Sequence, residues 1–156
     1  VAEKAQSWTA RLAELGIELP PVAAPVAAYV PAVRTGDHVY TSGQLPFVDG
    51  KLSLTGKLGA HVSDADAKAA ARTCALNALA AIDALVGLDS IVRIVKVVGF
   101  VASAEGFTGQ PGVVNGASEF LSEVFGDAGI HARSAVGVAE LPLGAPVEVE
   151  LIAEVR

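Results

Sequence analysis

Arg133 opens an otherwise small and apolar stretch, HARSAVGVAE at residues 131–140. A guanidinium cannot shed its charge, so setting one beside a core is costly unless an anion meets it. That anion is either a carboxylate of the protein or part of a ligand. Along an extended strand Arg133 would alternate with Ala135, Gly137 and Ala139, small residues that leave room beside the guanidinium. In the stretch that follows, Glu148, Glu150 and Glu154 share one face, and Val147, Val149, Leu151 and Ala153 share the other. From pattern alone, a structural ion pair between Arg133 and a glutamate competes with a ligand anchor.

Other chemistries find little purchase. No Walker-type loop and no GxGxxG is present, so phosphate and dinucleotide cradles are unsupported. His38, His61 and His131 share no metal-ligand spacing with one another or with Cys74, and no metal site is expected. Cys74 reads as a small buried hydrophobe on a helix. Ser42 lacks a GxSxG elbow.

The elements that must hold these residues are legible in outline. Residues 3–15 place Ala5, Trp8, Leu12 and Leu15 at helical spacing, and Gly16 is a stop. ELPPVAAPVAAYVP carries four of the eight prolines and reads as an extended connector. A first strand is expected over Ala27–Arg34, turning at Thr35-Gly36-Asp37 into a second whose end, Ser42-Gly43-Gln44, loses strand character. Asp49-Gly50 suits a tight hairpin. Ser63 reads as the N-cap of a long alanine-rich helix to Val86, with Ala75, Leu79, Ile82 and Val86 in its buried stripe, Cys74, Ala78 and Leu85 beside it, and Gly87 as its cap. Ser90–Ala102 is β-branched and predicts a central strand. Gln110–Phe125 predicts a second long helix, with Val114, Phe120, Leu121 and Val124 as its apolar candidates. Arg133–Leu141 and Pro146–Val155 read as a final hairpin. The expected architecture is α+β: a mixed sheet with two helices on one face, plus a short N-terminal helix. Its opposite face stays open unless a copy of the chain covers it.

Composition agrees with one domain. The chain has 156 residues, 52% hydrophobic and 18% charged, which is globular rather than disordered. Seventeen acidic against eleven basic residues give a net charge of -6, with no basic cluster to bind nucleic acid. One cysteine forbids an internal disulfide and fits a reducing compartment. Apolar runs are cut by charge or glycine, so no membrane span is expected. The opening VAEKAQSW shows no signal-peptide pattern, and its lack of an initiator Met reads as processing or trimming of the chain; a cytoplasmic location is the expectation.

AYVPAVRTGDHVYTSGQLP, the long helix with GLDSIVRIVKVVGFVAS, VNGASEF, and ARSAVGVAELPLGAPVEVELIAEV, in that order, resemble the RidA (YjgF) family of imine and enamine deaminases. The resemblance covers roughly residues 26–156 and leaves residues 1–25 as an extension. It implies a chorismate-mutase-like fold and a homotrimer with clefts between subunits. It places the substrate-carboxylate arginine on Arg133 and the water-positioning glutamate on Glu148. Tyr29, Ser42, Gly43, Asn115 and Ala135 fall on positions that line the cleft. Four departures stand out. His131 occupies a position that is often proline, Ser118 one that is often tyrosine and Ala135 one that is often cysteine, and the segment AEGFTGQPG before Asn115 is lengthened.

The implied reaction is hydrolysis of 2-imino or 2-enamino acids to 2-oxo acids and ammonia, with no cofactor. A two-pronged guanidinium fixes the carboxylate, and an oriented water attacks C2. Backbone amides near Gly43 and Ala135 can hold the remaining polar atoms. A non-catalytic sensor of small carboxylates is the alternative of a different class. Ribonuclease or translation-inhibitor activity, a label some family members carry, fits poorly with the acidic charge.

Overall fold

The computed structural model describes residues 7–22, 24–25 and 27–156. Five strands form the main sheet: β1 (Ala32–Thr35), β2 (His38–Thr41), β5 (Ile91–Ala102), β6 (Ala132–Val138) and β7 (Val147–Val155). A two-stranded hairpin, β3 (Phe47–Val48) with β4 (Lys51–Leu52), stands apart. Its turn has Asp49 at φ 51° and Gly50 at φ 77°, the two left-handed residues that a two-residue hairpin of this hand needs.

The helices are α1 (Trp8–Glu14), α2 (Asp64–Val86) and α3 (Gln110–Phe125). The Ser63 hydroxyl accepts the Asp66 N–H at 3.1 Å and caps α2, with Asp64 and Asp66 against the positive end of the helix. Ala75, Leu79 and Ile82 are buried as the spacing predicts, whereas Leu85 is exposed. By length and composition alone α2 is apolar enough to cross a membrane. Ala67, Ala71, Ala75, Ala78 and Leu79 lie instead in the core, in a helix packed against α3 and the sheet. Val113, Val114, Phe120, Leu121 and Val124 of α3 complete that layer.

Sheet order is β1-β2-β7-β5-β6, which corrects the expected final hairpin. β6 lies parallel to β5, with Arg133 beside Val97, and β7 runs antiparallel to both β2 and β5. The chain leaves β5, returns through α3, adds β6 at the edge, then crosses back to fill the gap between β2 and β5. Closing that gap gives β7 two hydrogen-bonded neighbours, which a hairpin at the edge would not. The first strand also starts later than expected, at Ala32, so Tyr29 lies in the loop ahead of it.

The N-terminal helix is tied to this body. Trp8 and Leu12 join the same core; the Trp8 indole N–H donates to the Ile91 carbonyl at 2.7 Å and the ring meets Phe125 edge-on at 4.9 Å. Ala5 of the expected helix lies outside the described residues.

Candidate functional site

Arg133 points from the edge strand β6 toward α3. Its Nη1 donates to Asn115 Oδ1 at 2.8 Å and to Ser118 Oγ at 3.2 Å, and its Nη2 to the Pro111 carbonyl at 3.4 Å. All three acceptors are neutral. Among the described residues no carboxylate lies within ion-pair distance of this half-buried guanidinium, so its charge is oriented but not cancelled. The structural ion pair considered from the sequence does not form. Asn115 and Ser118 are three apart on α3 and therefore share a face.

Ser118 is held in turn by His131. The imidazole Nε2 lies 2.9 Å from Ser118 Oγ, and Nδ1 lies 2.6 Å from the Gly129 carbonyl. Burial lowers the proton affinity of this ring, and the Arg133 charge lowers it further against the pull of the Gly129 carbonyl. Spacing alone gives His131 no role beyond a surface or turn histidine. The available signal was its position two before Arg133 in an extended run, which puts both side chains on one face.

Glu148 occupies a second centre. It alternates along β7 with the buried Val147 and Val149, so it stands on the face away from the helices. Its carboxylate rests against Gly43, where a β-carbon would collide with Glu148 Oε1 and come within 2.8 Å of Cδ. The chain reaches Gly43 because β2 stops at Thr41 and pairing resumes at Gln44, whose N–H donates to the Val149 carbonyl at 2.8 Å. Between them the Ser42 hydroxyl donates to the Val30 carbonyl at 2.6 Å and serves loop shape. Tyr29 and Gly43 line one small cavity of about 30 Å³ with Pro31, Gln44 and Phe47. Half-burial raises the Glu148 carboxyl above its usual range, and neighbouring Glu150 adds to the rise.

The residues singled out in the sequence thus fall into two groups. Arg133 and Ala135 of the edge strand form one group with Asn115 of α3, which Arg133 reaches across to meet. Glu148, Gly43, Ser42 and Tyr29 gather at the far end of β7 and the loops beside it. Arg133 and Glu148 sit on opposite faces of the sheet, and the β7 residue in line with Arg133 through Val97 is Leu151. Ala135 packs against the core, on a strand whose outer edge leaves alternate backbone groups free of the sheet. Cys74 is fully buried with its thiol on the Val147 carbonyl, and burial raises its proton affinity. It is a packed hydrophobe, not a nucleophile.

Gly43→Ala tests the second centre. The intruding methyl meets the flexible end of a side chain, so it swings the Glu148 carboxylate aside at little cost to folding. We expect Tm to change by no more than about 2 °C, while any turnover that depends on the Glu148 carboxylate falls about tenfold or more. Paired melting and kinetic measurements check both halves.

A family model described as "YjgF/chorismate_mutase-like, putative endoribonuclease" matches residues 9–155. The Trypanosoma cruzi protein TCP17 is 47% identical over 149 residues, covering 94% of this chain and 93% of that protein. A crystal structure of an Agrobacterium tumefaciens protein of unknown function is similar at TM-score 0.88 and 44% identity, covering 96% of this chain and 92% of that one. TdcF of Escherichia coli, crystallised with bound serine, is similar at TM-score 0.63 and 26% identity, covering 86% of this chain and 93% of that one.

Proposed function

The chain belongs to the YjgF/chorismate-mutase-like family, and from that premise we propose that it hydrolyses reactive 2-imino and 2-enamino acids to 2-oxo acids and ammonia. The observation that carries this reading is a guanidinium held in place by three neutral acceptors with its charge uncompensated. That arrangement suits an incoming carboxylate, which would complete it through paired charge-assisted hydrogen bonds. The serine bound to TdcF is a small carboxylate of the same kind.

The two centres meet in this reading between subunits. The sheet face away from the helices exposes Val33, Tyr40 and Val136 and half-exposes Val98, Phe100 and Ile152. A homotrimer would cover that apolar face and bring the Arg133 edge of one subunit to the Glu148 centre of the next. Sedimentation equilibrium should return the mass of three chains. A monomer at micromolar concentration would leave the cleft without its second wall.

In the assembled cleft Arg133 fixes the substrate carboxylate and presents C2 to a water held by Glu148. The water oxygen bonds to C2 as the C–N π bond opens onto nitrogen, and one water proton passes by way of Glu148 to that nitrogen. The proton of the resulting hydroxyl follows by the same carboxylate, so the C–N bond breaks and ammonia leaves as the C2 carbonyl forms. A carboxyl whose proton affinity is raised accepts and returns that proton more readily near neutral pH than an ordinary glutamate. Tyr29, Asn115 and the backbone at Gly43 and Ala135 shape the walls. No cofactor enters this scheme, and a reducing cytoplasmic setting is its expected place.

The experiment is to generate 2-iminopropanoate in situ with an amino-acid oxidase and follow its lifetime. The protein should shorten it, and Glu148→Gln should lose about one to two orders of magnitude of that effect. A raised folded-state proton affinity means that the stability due to neutral Glu148 is full in acid and lost as pH rises through the shifted value. Glu148→Gln should therefore raise Tm at pH 7 while lowering turnover. An imine that decays at its uncatalysed rate with tight carboxylate binding would leave a sensor. An endoribonuclease finds less support, because the net charge of -6 and the glutamates on the open face repel a phosphate backbone.

A further inference from the structure

We propose that His131 and Ser118 are positioning residues that couple carboxylate capture at Arg133 to uptake of a proton by His131, reversing the hydrogen bond between them. This rests on the reading of Arg133 as a carboxylate anchor and adds a regulated donor to it. A carbonyl only accepts, so the 2.6 Å contact with Gly129 places a proton on Nδ1 in either charge state. The Gly129 carbonyl is a fixed partner. This buried residue packs so closely on α3 that a β-carbon would collide with the Leu121 carbonyl.

With the ring neutral, Nε2 is a bare lone pair, and the Ser118 hydroxyl must donate to it across 2.9 Å. The same oxygen accepts from Arg133 Nη1 at 3.2 Å. The hydroxyl hydrogen is thereby turned toward His131, away from any ligand on the guanidinium. Protonation makes Nε2 a donor. Ser118 then accepts from both His131 and Arg133, and its own hydrogen is free to swing toward the bound carboxylate. The proton comes from bulk solvent, the one bond formed is Nε2–H, and the hydroxyl merely rotates.

The charges around the ring decide when this happens. Arg133 shares its strand. From β5, Arg93 donates to the Ile130 carbonyl at 3.0 Å and Lys96 lies in register with Ala132. From α3, Glu119 and Glu123 are paired with Lys68 and Arg72 of α2 at 3.0 Å each. Asp127 stands in the turn before the strand and accepts the Ile130 N–H through its carbonyl at 3.2 Å. Of these, Arg133 is the charge that opposes protonation of the imidazole, beside burial. A carboxylate clasped by Arg133 removes that repulsion, so binding must favour the protonated ring, and acidification must favour binding.

Isothermal titration of pyruvate into the full-length protein, in two buffers of different ionisation enthalpy from about pH 5.5 to pH 8, reads the coupling directly. We expect uptake of a fraction of a proton toward the acid end of this range and about a threefold gain in affinity from the alkaline to the acid end. In His131→Gln the amide oxygen can still accept from Ser118 but cannot titrate, so proton uptake should vanish and the affinity should no longer depend on pH. Uptake that persists in His131→Gln would belong to Glu148 and overturn the proposal, as would zero uptake in the native protein. NMR titration of the native His131 ring, whose midpoint should move to higher pH with pyruvate, tests the same coupling without a variant; a midpoint that stays in place would overturn it. Failure of pyruvate to bind at any pH would instead bring down the Arg133 reading itself.

Discussion

If the proposed imine hydrolysis holds, Arg133→Lys should lower kcat/KM for 2-iminopropanoate by about two orders of magnitude, and Arg133→Ala by about three. The guanidinium offers a carboxylate two parallel charge-assisted hydrogen bonds from one planar group. Lysine keeps the charge and loses the fork, so it returns part of the binding and little of the orientation. Alanine loses both. Stability should move little in either variant, by about 1 kcal/mol at most. Asn115 Oδ1 and Ser118 Oγ each lose the guanidinium donor, in a region open enough for water to replace it, and in the alanine variant an uncompensated cation also disappears from beside the core. Steady-state kinetics and a melting curve on the same samples check the pair of outcomes. An alanine variant that still shortens the imine lifetime would mean that another group catches the carboxylate.

Gly116→Ala should produce the largest loss of stability, with no chemistry involved. A β-carbon at Gly116 collides with the carbonyl oxygen of Lys68 and lies 2.8 Å from its carbon. That carbonyl is backbone of α2 and cannot rotate away, so α2 and α3 would have to move apart. Overpacking of this kind costs about 3 kcal/mol, or about 6–12 °C in Tm for a domain of this size. Asn115 precedes this contact and Ser118 follows it, so the strain also shifts the residues that hold Arg133. Thermal denaturation reads the first effect and pyruvate affinity the second. The contrast with Gly43→Ala is informative, because there the same methyl meets a movable carboxylate and spares the fold.

Local chemistry is what a sequence states most openly here. Ser63 and the acids after it mark a helix start that is the same in any tertiary setting, and Asp49-Gly50 marks a turn for the same reason. The end of α3 at Phe125 and the alternation along β7 follow from periodicity. Gly43 as a cleft residue and Glu148 as a holder of water, rather than one of three glutamates on a strand face, came only through the resemblance of the SGQ and VEVE segments to a family pattern. Nothing in the long stretch of chain between them announces their contact.

Residue order foretells the helices, most of the strands, the faces of β7 and an arginine whose charge needed an answer. The tertiary structure alone decided that β6 and β7 flank β5 rather than each other, and that Arg133 meets amides and hydroxyls instead of a glutamate. It also alone brought His131 onto Ser118. The physical reason is reach: a cap or a turn is settled within a few residues by sterics and hydrogen bonds, whereas strand order is settled by which apolar faces the whole chain can bury together.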